Sequence, residues 1–140
     1  YVRDNSSSYL LGENKKIVVG PDITWLYPYA LQEKNRSASE NIVAFNLRFW
    51  QREYWPSLEW VSHVNRLDLP VNPWPLSPGD ASLLRQYYRK IPEYFDIEPA
   101  TKAGIVISMR FHGLVFAAQL GIPAIGLCYD PKCKRWLDEI

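Results

Sequence analysis

The sequence predicts an α/β fold in which helices are layered on a mainly parallel sheet. Short apolar runs that suit buried strands alternate along the chain with longer segments of helical periodicity. Residues 104–132, GIVISMRFHGLVFAAQLGIPAIGLCYDPK, contain a complete strand–helix–strand unit. A unit this short implies a right-handed parallel crossover. A chain of 140 residues is long enough to form one domain with its own core.

The first predicted elements precede residue 70. Asp4 is expected to cap a short helix, and KIVVG at residues 16–20 is a strand candidate. Residues 41–49 form the next predicted strand, with the apolar run IVAF near its start. Residues 53–67 place apolar side chains at helical spacing, which predicts an amphipathic helix.

The middle of the chain is interrupted by prolines. Residues 67–78 carry four prolines and are predicted to hold at most one short strand, near Val71. Asp80 is expected to be the N-cap of the next helix, because Asp accepts hydrogen bonds from the free amide groups of a helix start. Residues 91–103 are predicted to be irregular or to form one short helix.

The strand–helix–strand unit is the clearest part of the pattern. Residues 105–107 are a β-branched apolar run that suits a buried parallel strand. Residues 113–120 are apolar nearly throughout, so this helix is expected to be buried on more than one side. Gly121 is the expected C-cap of the helix. Residues 124–128 form the last predicted strand, which we expect to be buried.

Charge, cysteine content and hydropathy exclude several classes of protein. The formal net charge of +1 argues against a general nucleic-acid-binding surface, which normally carries a basic excess. Two cysteines are too few for a disulfide framework, and Cys128, at the end of a predicted core strand, is expected to behave as a small apolar residue. The sequence shows no signal peptide and no transmembrane segment. We therefore expect a soluble cytoplasmic chain, with peripheral association at a membrane as an option.

Basic and titratable residues lie where predicted strands end. Arg48 follows one strand, and Arg110 and His112 follow the strand at residues 105–107. Open α/β sheets bind ligands beyond the carboxyl ends of their strands. Arginine forks suit phosphates and carboxylates, and a histidine in the first turn of a helix lies where anions are favoured. The sequence therefore predicts a site for a small polyanion that carries phosphate and carboxylate groups.

Alternatives stay open for several of these residues. An arginine after a strand is often a salt-bridged surface residue, and this applies most to Arg48. Asp130 and Lys132 follow the last strand and either join the same site or close a turn. Glycine-rich nucleotide loops and the HExxH and GxSxG motifs are absent, and the two cysteines are weak evidence for a metal. No metal and no cofactor are predicted.

The segment SMRFHG at residues 108–113, followed by FAAQLGIPAIGLCYDPK, resembles the polysaccharide pyruvyl transferase family. The family pattern is a serine-x-arginine-x-histidine turn, an apolar helix, glycine-x-proline and then tyrosine-aspartate-proline-lysine. Weaker matches follow the family order at Arg3-Asp4, Pro21-Asp22, residues 46–50 and Asp80. The specific part of the resemblance is confined to residues 105–132.

The resemblance implies a GT-B-like enzyme in which two Rossmann-like halves face a cleft. Residues 1–140 would be the carboxyl-terminal half, with the N-terminal domain outside this sequence. The family transfers a pyruvyl group from phosphoenolpyruvate to a sugar hydroxyl of a cell-wall or exported polysaccharide, giving a ketal. The saccharide acceptor would be lipid-linked or polymeric.

The resemblance also implies roles for individual residues of this sequence. Arg48 and Arg110 would hold the phosphate and carboxylate of phosphoenolpyruvate. His112, with Arg110, would be catalytic, and Asp130 and Lys132 would bind substrate.

Two features depart from the family pattern. Asn46 stands where a small residue is more usual, and residues 67–78 are shorter and richer in proline than the usual strand and loop. Two other functions remain as alternatives. One is a nucleotide-sugar-dependent glycosyltransferase or epimerase of the same architecture, and the other is a non-catalytic binding domain.

Overall fold

The computed structural model of the chain describes residues 41–50, 57–93 and 95–139. The predicted helix at Asp4, the predicted strand at residues 16–20 and the first residues of the predicted helix at 53–67 lie outside the described residues. Within the described ranges, four strands form one sheet in which every pairing is parallel.

The sheet brings two distant segments of the chain to its centre. Its strands are β1 (Val43–Asn46), β2 (Val71–Pro73), β3 (Ile105–Ser108) and β4 (Ala124–Gly126). Their order across the sheet is β2-β1-β3-β4. Because Asn46 lies opposite Ser108 in the register, β1 and β3 end at the same level. The residues that follow these two strands therefore share one edge of the sheet.

Helices connect the strands and cover the sheet. Those in the described part of the chain are α1 (Ser57–Asn65), α2 (Pro78–Leu84), α3 (Glu98–Thr101), α4 (Phe111–Leu120) and α5 (Pro131–Glu139). The predicted α/β fold with a parallel sheet is confirmed, including the short strand at Val71 and a short helix within residues 91–103. Across the described ranges, no helix combines the length and the apolar character that a membrane crossing requires.

The central strand β1 is buried on both of its faces. On one face, Phe45 belongs to an apolar cluster that residues of α1 and α2 complete. On the other face, Ala44 packs with Trp74 and with Phe116 of α4. Side chains alternate between the faces of a strand, so burial on both faces explains why this run is almost continuously apolar. The exception is Asn46, a polar residue with 0% exposure at the carboxyl end of the strand.

Two predictions about the last strand are wrong. β4 ends at Gly126, and Ile125 is 48% exposed, because β4 is the outermost strand of the described sheet. Cys128 lies beyond the shortened strand and is exposed, whereas Cys133 of α5 is buried in the cluster that contains Phe111 of α4. An apolar run alone does not distinguish an edge strand from a central one, since that depends on which neighbours pair with it.

Gly121 is the C-cap of α4, as predicted. Its φ of 63° lies in the left-handed region, which glycine adopts without a steric penalty. The Ile122 amide donates to the Ala117 carbonyl at 2.9 Å, and the Gly121 amide donates to the Ala118 carbonyl at 3.1 Å. This is the Schellman arrangement, and the apolar contact that accompanies it places Ile122 and Ala117 in the same buried cluster.

Replacing Gly121 with Val should lower the free energy of unfolding by more than about 1 kcal/mol. A Cβ at this position would meet nothing within 4 Å, so the cost comes from the backbone angle rather than from crowding. Gly121→Asn is the matched control, because Asn tolerates the left-handed region better than a β-branched residue does. Urea denaturation of the two variants tests this, and equal midpoints for Val and Asn would contradict the assigned cause.

Candidate functional site

The residues predicted to form a site lie around the carboxyl edge of the sheet. Arg48 follows β1, and Arg110 follows the adjacent strand β3. His112 is in the first turn of α4. Asp130 and Lys132 lie after β4, where α5 begins. Strand order and register thus place five residues from three connections at one edge, where ligands bind in open α/β sheets.

A buried polar network joins the ends of β1 and β3. The Asn46 carbonyl Oδ1 accepts hydrogen bonds from the Ser108 hydroxyl and from the Arg110 amide, both at 3.2 Å. The Asn46 amide Nδ2 donates to the Trp74 carbonyl at 3.0 Å and to Asp80 Oδ2 at 3.2 Å. The side chain of Asn46 is therefore bonded to segments after β2 and β3 as well as to α2. Full satisfaction of this kind is what makes a buried amide tolerable.

Arg110 forms a two-point ion pair with Asp80. Arg110 Nε donates to Asp80 Oδ2 at 2.6 Å, and Nη2 donates to Oδ1 at 2.7 Å. The same Nη2 also donates to the Ser77 hydroxyl at 2.6 Å. The Asp80 side chain is 1% exposed, whereas that of Arg110 is 23% exposed. The pair thus runs from the protein interior to the solvent-facing edge, with the guanidinium on the outside.

The predicted role of Asp80 as the N-cap of α2 is wrong. Ser77 is the N-cap, with φ −157° and ψ 163°, and its hydroxyl accepts from the Asp80 amide at 3.3 Å. Pro78 occupies the first helical position, which proline favours because that amide has no partner within a helix. Asp80 therefore lies in the first turn, and its Oδ2 accepts from the Leu76 amide at 3.1 Å. Its carboxylate points back past the helix start toward β1 and Arg110.

Arg48 lies in a different environment from Arg110. Its Nη1 donates to the Tyr129 hydroxyl at 2.8 Å, and its guanidinium carbon lies 5.0 Å from the centre of the Trp50 ring. The Trp50 and Tyr129 rings are themselves 4.5 Å apart between centroids. Burial raises the pKa of the Tyr129 hydroxyl, and the hydrogen bond from Arg48 opposes part of that rise. Aromatic faces thus hold this guanidinium, and none of the ion pairs among the described residues involves Arg48.

His112 and Lys132 both contact the ring of Phe111. The His112 and Phe111 rings meet edge to face, with centroids 5.8 Å apart. The ammonium of Lys132 lies 4.1 Å from the centre of the Phe111 ring, a cation–π distance. Phe111 therefore connects the first turn of α4 with the first turn of α5 through its contact with Lys132. This places a titratable imidazole and a cation on one aromatic side chain at the edge of the sheet.

Asp130 acts as a helix cap in the structure. Its Oδ1 accepts from the Lys132 amide at 2.8 Å, and its backbone carbonyl accepts from the Cys133 amide at 3.0 Å. These contacts satisfy amides in the first turn of α5. Of the two alternatives for this residue, closing the turn has direct support.

Several residues of this edge were not identified as site residues from the sequence. Asn46 belongs to the weaker match at residues 46–50 and departs there from the family pattern, but no role is predicted for it or for Ser77. Tyr129 lies in the tyrosine-aspartate-proline-lysine motif, but the sequence predicts no role for it. A signal was present for Asn46, since a polar residue that ends a strand buried on both faces must find partners inside the protein. Within the described ranges, no three His, Cys, Asp or Glu side chains form a group that could hold a metal.

Comparison with known proteins gives one match. A family model described as polysaccharide pyruvyl transferase matches residues 1–131. The match extends over the buried network, both arginines and the start of α4. Searches for similar curated proteins and for similar solved structures found no match.

Proposed function

The chain belongs to the polysaccharide pyruvyl transferase family, and from this membership we propose that it transfers the pyruvyl group of phosphoenolpyruvate to a sugar hydroxyl. The family assigns the protein to an enzyme class that acts in pyruvyl transfer to polysaccharides. The proposal adds the donor, the hydroxyl acceptor and the residues that bind them. In this proposal the chain supplies the carboxyl-terminal half of a two-domain, GT-B-like enzyme, and the saccharide acceptor is lipid-linked or polymeric.

The cation of Arg48 supports a role in binding the phosphate group. Asp80 offsets the charge of Arg110, whereas Arg48 has a hydroxyl and two aromatic rings as its neighbours. A guanidinium without a carboxylate partner is well suited to a phosphate, because the two form charge-assisted, bidentate hydrogen bonds. The observation that carries the proposal is that Arg48 has no carboxylate partner among the described residues.

Arg110, His112 and Lys132 would bind the rest of the donor. Arg110 leaves its Nη1 group without a hydrogen-bond partner among the described residues, and this group can bind the donor carboxylate. His112 lies in the first turn of α4, where the helix dipole favours negative charge. The Lys132 ammonium, 4.1 Å from the centre of the Phe111 ring, adds positive charge. In this proposal Asp130 contributes by holding the start of α5 and hence Lys132.

The chemistry requires one proton transfer to carbon. Protonation of the donor methylene gives a methyl group and a cationic centre at the carbon that carries the phosphate. One sugar hydroxyl adds to that carbon, the carbon–oxygen bond to phosphate breaks, and a second hydroxyl of the sugar closes the ketal. Of the two hydroxyl protons released, one replaces the proton donated to carbon and the other leaves with the phosphate. His112 is the proposed proton carrier, and the arginines stabilise the charge on the phosphate.

Isothermal titration of the purified protein with phosphoenolpyruvate tests the donor. We expect Arg48→Ala to weaken binding by about tenfold or more, the effect of losing a charge-assisted hydrogen bond. Arg66→Ala is the matched control, because Arg66 is an exposed arginine that follows α1 and should leave the affinity unchanged. Binding of a uridine diphosphate without binding of phosphoenolpyruvate would instead support the nucleotide-sugar alternative. Binding of neither compound would favour a non-catalytic domain.

A further inference from the structure

We propose that Asp80 is a positioning residue that fixes the guanidinium of Arg110 for the donor anion. This inference rests on the proposed function, since it assigns to Arg110 a contact with phosphoenolpyruvate. It adds a residue that does not itself touch the substrate and acts only through Arg110.

The geometry of the ion pair fixes which edge of the guanidinium faces outward. The Asp80 carboxylate accepts hydrogen bonds from Nε and Nη2 of Arg110 at 2.6 Å and 2.7 Å, which is the side-on form of a two-point contact. The Ser77 hydroxyl accepts a further hydrogen bond from Nη2 at 2.6 Å. Two of these contacts use the edge formed by Nε and Nη2, the third uses Nη2 again, and none of them uses Nη1. Because the group is planar and held at two atoms, the direction of the Nη1 protons is set as well.

Asp80 can act in this way because it is buried and hydrogen-bonded on several sides. Its carboxylate is 1% exposed and accepts from the Leu76 amide at 3.1 Å and from Asn46 Nδ2 at 3.2 Å. Its own amide donates to Ser77 Oγ at 3.3 Å. Backbone, helix start and β1 therefore hold the acceptor through contacts that do not involve Arg110. A rigid supporting group of this kind is what a precisely oriented site requires.

In this proposal Arg48 and Arg110 have different roles in binding the donor. The Asp80–Arg110 pair carries no net charge, so Arg110 contributes direction and hydrogen-bonding protons rather than a strong attraction for anions. Arg48, which forms none of the ion pairs in the described part of the chain, contributes the attraction. Loss of Asp80 should therefore weaken donor binding even though it removes a negative charge from the site. A purely electrostatic effect would instead make the donor bind more tightly when Asp80 is lost. The direction of the change in affinity therefore distinguishes positioning from electrostatics.

A double-mutant cycle measured with phosphoenolpyruvate tests the inference. Asp80→Asn keeps the shape of the side chain but replaces one acceptor with a donor that faces Nη2. We expect it to weaken binding by about tenfold, one charge-assisted hydrogen bond. Arg110→Ala should weaken binding at least as much. In the Arg110→Ala protein, Asp80→Asn should have no further effect, because its influence passes through the missing guanidinium.

Controls separate positioning from a loss of structure. Asp138→Asn changes an exposed carboxylate of α5 and should leave the affinity unchanged. Ser77→Ala is the milder variant, because it keeps the Asp80 carboxylate. It removes the hydroxyl that accepts from Nη2 and, as the N-cap of α2, from the Asp80 amide. It should weaken binding by about threefold, less than one charge-assisted hydrogen bond. If circular dichroism shows that Asp80→Asn does not fold, the affinity of Ser77→Ala for phosphoenolpyruvate tests the positioning role instead.

The outcomes distinguish the inference from the function on which it rests. Failure of the unaltered protein to bind phosphoenolpyruvate would contradict the proposed function itself. Weakened binding by Arg110→Ala together with full affinity in Asp80→Asn and Ser77→Ala overturns the positioning role and leaves the function standing. Additive losses in the double variant, or tighter binding by Asp80→Asn, also overturn it.

Discussion

Replacing His112 with Ala should lower the rate of pyruvyl transfer by about 10²- to 10⁴-fold, the usual contribution of one positioned acid–base group. The fold should be retained, because the imidazole is only half-buried and lies at the second position of α4, where Ala is a good helix former. The affinity for phosphoenolpyruvate should change much less than the rate. Release of inorganic phosphate from phosphoenolpyruvate in the presence of a panel of nitrophenyl glycosides measures the effect.

His63 supplies the matched control for this experiment. It is the other histidine of the chain, is exposed, and contacts Trp60 edge to face at 5.9 Å on α1. His63→Ala removes an equally large ring that lies against an aromatic neighbour, and we expect a rate near that of the unaltered protein. A His112→Ala protein that is folded and keeps its rate would show that the proton comes from another group.

Replacing Gly113 with Ala should destabilise the protein by about 2–3 kcal/mol, at the upper end of what overpacking a core costs. The added Cβ would lie 2.3 Å from the Ser108 hydroxyl oxygen and 2.9 Å from the Ser108 Cβ. Ser108 cannot easily move aside, because it is 1% exposed and its hydroxyl is bonded to Asn46 and to the backbone of Arg110. Relief of the clash would disturb the buried network that supports Arg110.

Gly79→Ala is the matched control for this substitution. Gly79 also lies in the first turn of a helix, but a Cβ there would meet only the Ser77 hydroxyl, at an ordinary 3.8 Å. We expect Gly79→Ala to leave stability unchanged or to raise it by about 0.5 kcal/mol, through a less flexible unfolded chain. Denaturant titration of both variants measures the difference. Equal midpoints would refute the close approach of α4 to the end of β3.

The sequence was sufficient to predict the central elements of the fold. The apolar runs at β1 and β3 and the apolar helix α4 are buried on several sides, so their composition alone indicates their structure. β4 shows where this reasoning stops. Its residues are as apolar as those of β3, but it has a paired neighbour on one side only within the described sheet. Exposure of Ile125 follows from position in the sheet, which the local sequence does not encode.

The site could be predicted in part for a similar reason. Strand ends are visible in the sequence, so Arg48 and Arg110 could be assigned to one edge before the structure was known. The partner of Arg110 could not be predicted, because Ser77 and Asp80 are both good capping residues and the local sequence does not show which of them caps α2. Ser77 is the cap because Pro78 occupies the first helical position and because Asp80 pairs with Arg110, 30 positions later in the chain. Tyr129 is likewise 81 positions from Arg48.

The bonds of Asn46 have a consequence for how the protein folds. Its partners lie 28, 34, 62 and 64 positions away along the chain. Contacts this distant form only after the intervening segments have closed into loops, which is entropically costly and slow. We therefore expect the proposed donor-binding edge to be absent from any partly folded state and to appear with the last cooperative step. A donor that binds this edge would then select the completed fold alone, and protection of the Arg110 amide from hydrogen exchange would report on global unfolding rather than on local opening.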